Sequence, residues 1–254
     1  MWLKEYIYIL DADDYLSAGD VILHLKSLIF KYDPDMIIPS YNVDKNGELL
    51  YHEVPVPASV YSKYQLFDML DIFPTDSKLM YRTSILKENN LRFQPEIRCG
   101  EVYTFTVSYL KWLDSGKICV SDKPCQNYFE RTDSAVHKIN YKNDLTVVEA
   151  VEAIYKNGKD LLKYPSFRLT AFLLYGGFIY TKYLKSSLLE KEMLCSIKVS
   201  LSNRTIKRCV NNIAFKPHIS RRNRLLALYL LLMPKKMGFK LLRKLYSVKT
   251  KSNN

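Results

Sequence analysis

One stretch constrains this chain more than any other: Tyr6-Ile7-Tyr8-Ile9-Leu10-Asp11-Ala12-Asp13-Asp14-Tyr15-Leu16. An apolar run rich in β-branched and aromatic residues meets three carboxylates within four positions. Such a run, bounded by polar residues, predicts a buried strand. Asp11 and Asp13 then fall just past its C-terminal end, at the mouth of the sheet where open α/β folds bind ligands. Two hard oxygen ligands there suit a divalent cation, since Mg2+ is usually held by one or two carboxylates plus substrate phosphates. Turn and N-cap chemistry also places Asp between a strand and a helix, so the pair alone does not decide the matter.

The following residues extend the pattern. Ser17 to Tyr32 reads as a helix, with Val21, Ile22, Leu25, Leu28 and Ile29 at helical spacing, and Asp33-Pro34-Asp35 ends it. Met36-Ile37-Ile38 predicts a short buried strand, completing a strand–helix–strand unit. Asn46-Gly47 signals a hairpin between Ser40 to Val43 and Glu48 to Val54. Pro55 and Pro57 predict a loop, and Ser62-x-x-Gln65 a capping box opening a helix through Leu70. A short helix is expected from Ser84 to Asn89. Another is expected from about Val102 to Asp114, with Glu101 at its start, where a carboxylate also suits the helix dipole. Lys117 to Val120 reads as a strand and Asp122-Lys123-Pro124 as a turn. From Asn143 onward the texture is helical, with segments near 144–163, 166–188, 190–200, 203–213, 221–233 and 235–246. The expected division is therefore an α/β part, residues 1–140, and an all-helical part, residues 141–254.

Charge separates the two ends. Residues 193–254 hold fifteen of the 38 Lys and Arg and no Asp or Glu, while the first 192 residues sum to −3. Such asymmetry predicts a basic tail for an anionic surface. Lys235 to Tyr246 sets Met237, Leu241, Leu242 and Leu245 as an apolar stripe beside Lys236, Lys240, Arg243 and Lys244. That is the pattern of a helix lying on anionic lipid, or of one packed on the α/β part with its charges solvated. Arg221, Arg222 and Arg224 extend the theme. Nucleic acid fits less well, because no recognised motif or aromatic platform accompanies the charge. Five Cys, an odd number without C-x-x-C spacing, argue against a disulfide framework or zinc site and suit a reducing cytosol. No signal peptide is read at Met1 to Glu5. The longest apolar run, Leu225 to Met233, is too short to span a bilayer.

Taken together, these pieces resemble the family 2 glycosyltransferases of the GT-A fold, the bacterial type that builds surface polysaccharide. Glu5 to Leu10 running into Asp11-Ala12-Asp13-Asp14-Tyr15 matches the family's D-x-D-D-Y loop. Ser77-Lys78-Leu79-Met80-Tyr81-Arg82 is similar to its K-L-Y-R segment, and Asn90 to Phe93 to the element that follows. Gly100-Glu101-Val102-Tyr103-Thr104-Phe105 stands where the family has G-E-D-x-x-F. Lys117-Ile118 and Tyr128-x-x-Arg131-x-Asp133-Ser134 resemble its closing elements. The resemblance covers about residues 4–137.

It implies a partial GT-A, Rossmann-like nucleotide-sugar transferase domain lacking its first strands, followed by the all-helical region. It implies Mn2+ or Mg2+ held by Asp11 and Asp13, with His137 as a further candidate ligand. The donor would be a nucleotide-diphosphate sugar, a UDP-sugar first, and the acceptor a glycan or lipid-linked hydroxyl. The implied reaction is inverting transfer. The family's proposed general base is the Asp of E-D, and here that position is Val102, which cannot accept a proton. Glu101 is the neighbouring candidate base. Asp76 and Lys78 are candidate acceptor or structural residues, and Arg131 a candidate partner of the diphosphate. The expected location is cytoplasmic, peripheral at the inner face of the cell membrane. A non-catalytic, glycan- or partner-binding module on the membrane surface is the alternative that Val102 and the absent first strands keep open.

Overall fold

The computed structural model describes residues 5–17, 19–45, 47–52, 56–74, 78–113, 116–129, 141–178, 195, 199–215 and 219–232. The chain forms two compact units. The first comprises Met1–Gln94, Val102–Ser134 and Asn157–Ser166; the second comprises Pro95–Glu101, Ala135–Lys156 and Phe167–Asn254.

In the first unit the described residues form one mixed sheet of seven strands. In chain order they are β1 (Tyr6–Tyr8), β2 (Tyr15–Leu16), β3 (Met36–Lys45), β4 (Glu48–His52), β5 (Ser59–Tyr61), β6 (Met80–Arg82) and β7 (Ile118–Phe129). The spatial order is β1-β6-β3-β7-β2, with β4 also beside β3 and β5 beside β7. β6 runs antiparallel to both β1 and β3, so the strands of the expected strand–helix–strand unit are parallel but separated by β6. β3 and β7 pair in parallel along most of their length.

Where the sequence predicts two short strands around Pro39, β3 is continuous, and the expected turn at Asp122-Lys123-Pro124 lies inside β7. The register explains both. Pro39 faces Ser121 and Ser40 faces Pro124, so β7 carries extra residues there. Proline donates no ladder hydrogen bond and is tolerated in a sheet at such bulges. The bulge also changes the neighbours. Before it, Ile118 to Val120 of β7 pair with β5; beyond it, Gln126 and Asn127 pair with β2. β2 and β5 are too short to leave a periodic signal.

Helix α1 (Val21–Tyr32) buries Val21, Leu25 and Ile29 against Tyr6, Ile37, Met80 and Cys119 on one face of the sheet. Each such side chain contributes about 1.5–3 kcal/mol on burial. Asp33 ends α1 in the left-handed region, φ 44°, and its carboxylate pairs with Arg82 at 2.5 Å. His24 on α1 brings Nε2 to 2.8 Å from Ser121 Oγ. Burial, reinforced by the Lys123 ammonium, holds its imidazole below the ordinary value of 6.5. A His with a lowered folded pKa supports the fold above pH 6.5 and loses that support as pH falls through the lowered value. Acidification from about pH 7.5 to about pH 5 is therefore expected to lower the urea midpoint of the wild type more than that of His24→Gln.

The opposite face is aromatic. Tyr81, next to Met80 and hence on the other side, makes edge contacts with Phe105 and Tyr109 at 5.3 and 5.0 Å, and its hydroxyl lies 2.8 Å from Thr106 Oγ1. These partners belong to α4 (Glu101–Leu110), which follows α2 (Lys63–Met69) and α3 (Thr83–Glu88). The capping box of Ser62 and Gln65 opens α2 as expected. Lys63 on α2 is buried and satisfied, donating to the Leu110 carbonyl at 3.0 Å and pairing with Asp160 at 2.9 Å.

The second unit is helical in its described residues after 140. The predicted long helix 144–163 is broken into α5 (Tyr141–Asp144), α6 (Val147–Asn157) and a 3-10 turn at Lys159–Leu161, the turn falling within the first unit. α7 (Pro165–Phe178), α8 (Arg204–Ala214) and α9 (Arg221–Leu232) follow. Val151, Ile154, Phe172, Ile206, Cys209 and Ala227 are fully buried in this unit. Asn203 caps α8, its side-chain oxygen accepting from the N–H groups of Thr205 and Ile206. The predicted helix 235–246 lies outside the described residues. No helix among the described residues is long and apolar enough to cross a membrane.

Candidate functional site

Strand β1 stops at Tyr8, and the chain turns at once: the Asp14 N–H donates to the Asp11 carbonyl at 3.1 Å. This tight turn puts Asp11 and Asp13 on the surface and sends Asp14 inward. The three carboxylates thus have different surroundings although they sit within four residues.

Asp14, 8% exposed, is the anchor. One of its oxygens accepts from the Phe129 N–H at 3.1 Å and the other from the Gln126 side-chain amide. Burial raises its carboxyl above the usual carboxylate value, and the two hydrogen bonds offset part of that rise; Asp11 adds to it and Lys78 opposes it. Gln126 is fully buried and in turn accepts from the Tyr8 hydroxyl at 3.1 Å. The acidic turn is therefore fixed to both β1 and β7.

Lys78 lies beside this anchor. It is only 4% exposed, and its ammonium stands 4.0 Å from the Tyr41 ring centre and 4.8 Å from that of Tyr128. Tyr41 and Tyr128 project from the same side of β3 and β7 beyond the bulge. Two ring faces around one ammonium form a cation–π cradle, stronger here because the site is desolvated. The other side of these strands carries a second polar ladder. The Tyr15 hydroxyl donates to Asp44 at 2.7 Å, and the Asn42 amide donates to Asn127 at 2.8 Å. Asp44 also accepts from the Gly47 N–H at 2.9 Å, which shapes the β3–β4 hairpin.

The turn after β1 and the approach to β6 thus bring Asp11 and Lys78 to either side of Asp14 in the first unit, with Asp13 on the same turn. Asp76, Arg131 and His137 lie outside the described residues. Gln126, Tyr8 and Tyr41, which sequence reasoning missed, complete the surroundings; Gln126 lies in a strand of mixed polarity, so nothing in its local sequence marked this role. Among the described residues, no group of three or more His, Cys, Asp or Glu is gathered as a metal site. A pair of exposed carboxylates still fits Mg2+ or Mn2+, which draw their remaining ligands from phosphate and water.

Glu101 belongs to the second unit and opens α4. Gly100 before it has φ 82°, and an added Cβ would come within 2.6 Å of a Leu174 side-chain carbon. The positive φ favours glycine at this entry, and any larger residue would also have to displace the Leu174 side chain. The preceding Arg98 and Cys99 N–H groups donate to Thr146 Oγ1 at 2.9 and 3.1 Å. Val102, partly buried in the first unit, offers its carbonyl to Thr106 Oγ1 at 2.8 Å.

No protein-family model and no curated protein matches this sequence. Solved structures do match it by fold. Residues 1–349 of S. aureus TarS in complex with UDP-GlcNAc superpose with a TM-score of 0.65 at 14% identity, over 96% of this chain and 68% of that one. The complex of the same protein with UDP gives 0.65 at 15% identity, over 96% and 67%. Its structure described without a ligand gives 0.66 at 14% identity, over the same shares. By fold, the mixed sheet followed by helices matches a partial GT-A domain.

Proposed function

We propose that this chain is a glycosyltransferase of the family 2 type. It would transfer a sugar from a nucleotide-diphosphate donor to a hydroxyl, with inversion, in surface polysaccharide synthesis. The observation that carries this reading is the acidic turn. Asp11 and Asp13 stand exposed at the C-terminal end of a strand, in a fold shared with structures that hold UDP-GlcNAc and UDP.

In this reading Asp11 and Asp13 would hold Mg2+ or Mn2+, which would supply positive charge against the departing diphosphate. The bond from the acceptor oxygen to the anomeric carbon forms as the bond to the diphosphate oxygen breaks. Asp14, Gln126 and Tyr8 keep the turn in place, and Glu101 takes the acceptor proton because Val102 cannot. Arg131 and His137 remain proposed partners of the diphosphate and metal, and Asp76 of the acceptor. A lipid-linked acceptor would suit a protein held at the cytoplasmic face of a membrane. Val102 favours a second reading, a non-catalytic glycan- or partner-binding module on the same fold.

Calorimetric titration of UDP with and without Mn2+ tests the first reading. Mn2+-dependent binding is expected, and Asp11→Asn/Asp13→Asn should abolish it. Binding that ignores both Mn2+ and the substitutions would remove the metal role. Absence of UDP binding altogether would leave the non-catalytic reading in possession.

A further inference from the structure

The second unit presents a surface that the donor site does not use. Helix α8 buries Ile206, Cys209, Val210 and Ile213 on one side. Its other side carries Arg204, Lys207 and Arg208, all exposed, at i, i+3 and i+4. Phe215, three turns beyond Arg204 on the same line, is 71% exposed. Helix α9 also carries an exposed Arg221 and, one turn on, Leu225 at 64% exposure. No Asp or Glu occurs from residue 193 to the end, so nothing in this stretch of sequence balances the positive charge.

We propose that the outer face of α8 docks this protein on an anionic phospholipid bilayer. Three cations in one row meet the lipid phosphates, and Phe215 on the same line gives the contact an apolar component at headgroup depth. The apolar side of α8 is already spent on the core of its unit, so the helix rests on the surface instead of sinking into it. The backbone of a nucleic-acid duplex would match the charges but offers an exposed Phe no apolar phase to enter. The inference rests on this surface alone and does not depend on the transferase reading.

Co-sedimentation of the full chain with vesicles tests it. Wild type is expected to bind phosphatidylcholine vesicles containing phosphatidylglycerol and to ignore phosphatidylcholine alone. High salt should release it. Arg204→Gln/Lys207→Gln/Arg208→Gln should lower the affinity on the order of a hundredfold, about fivefold for each charge removed. Phe215→Ser should weaken binding by a smaller factor. The altered residues are exposed, and an unchanged urea midpoint will show that the fold is intact. Equal binding by wild type and the triple variant overturns the proposal, as does equal binding to both vesicles. Binding to a random DNA duplex without binding to anionic vesicles also overturns it, in favour of nucleic acid.

Discussion

On the proposed transferase reading, Val102→Asp is expected to raise the rate of sugar transfer from a nucleotide-diphosphate sugar by about 10²–10⁴-fold, the usual contribution of a positioned general base. The position tolerates the change. Val102 is partly exposed and lies in the first turn of α4, where a carboxylate is favoured by the helix dipole. Its backbone carbonyl stays tied to Thr106 whatever the side chain. The companion substitution assigns the proton in the natural chain. If Glu101 serves as base, Glu101→Gln should remove the residual rate of the wild type and cost far less in the Val102→Asp background. A discontinuous assay of UDP release with acceptor present reads both. Activity unaffected by either change would mean that the proton leaves by another route. No activity in any of the four proteins, together with intact folding, would support the non-catalytic module.

Lys78→Ala should lower global stability by about 3 kcal/mol, read as a shift of the urea midpoint. Two effects add. The four-carbon side chain leaves a cavity between Tyr41 and Tyr128, and the Asp14 carboxylate loses a nearby cation inside the protein. Lys78→Met separates them, because it restores most of the volume and none of the charge. It is expected to recover roughly half of the loss, since a desolvated cation–π pair contributes about 2 kcal/mol or less. Mn2+-dependent UDP binding should weaken about tenfold in Lys78→Met, the usual cost of disturbing groups that orient metal ligands. Full recovery by Lys78→Met in both measurements would reduce Lys78 to a packing residue.

The acidic turn, α1, the capping box of α2 and the β3–β4 hairpin were legible because each has a local cause: apolar spacing, a side-chain cap, an Asn-Gly pair. The surroundings of the acidic turn were not. Tyr41, Tyr128 and Gln126 come together only through the parallel register of β3 and β7, and no local pattern encodes that register. Pro39 and Pro124 pointed away from it, since each alone reads as a strand breaker; facing each other's strands across a shared bulge, they are accommodated. The roles of Asp11 and Asp14 also differ for a reason invisible in the motif. The tight turn exposes one and buries the other, and only the hydrogen bonds from Phe129 and Gln126 make the second an anchor. In the helical part, spacing gave helices of the right type but not the breaks after Asp144 and Asn157.

The β3–β7 pairing also governs how quickly such a chain can assemble. Every rung of that pairing closes a loop of more than eighty residues, as the Asn42–Asn127 hydrogen bond, 85 positions apart, illustrates. Closure entropy must be met before any rung contributes, and rates fall as contacting residues become more distant in sequence. The β3–β4 hairpin, whose strands are neighbours in sequence and whose Gly47 N–H donates to Asp44, can begin to form early. The Asp14 anchor cannot, because Gln126 and Phe129 arrive only with β7. During folding the acidic turn would therefore be among the last features to acquire its final shape, after the hairpin and α1 are in place.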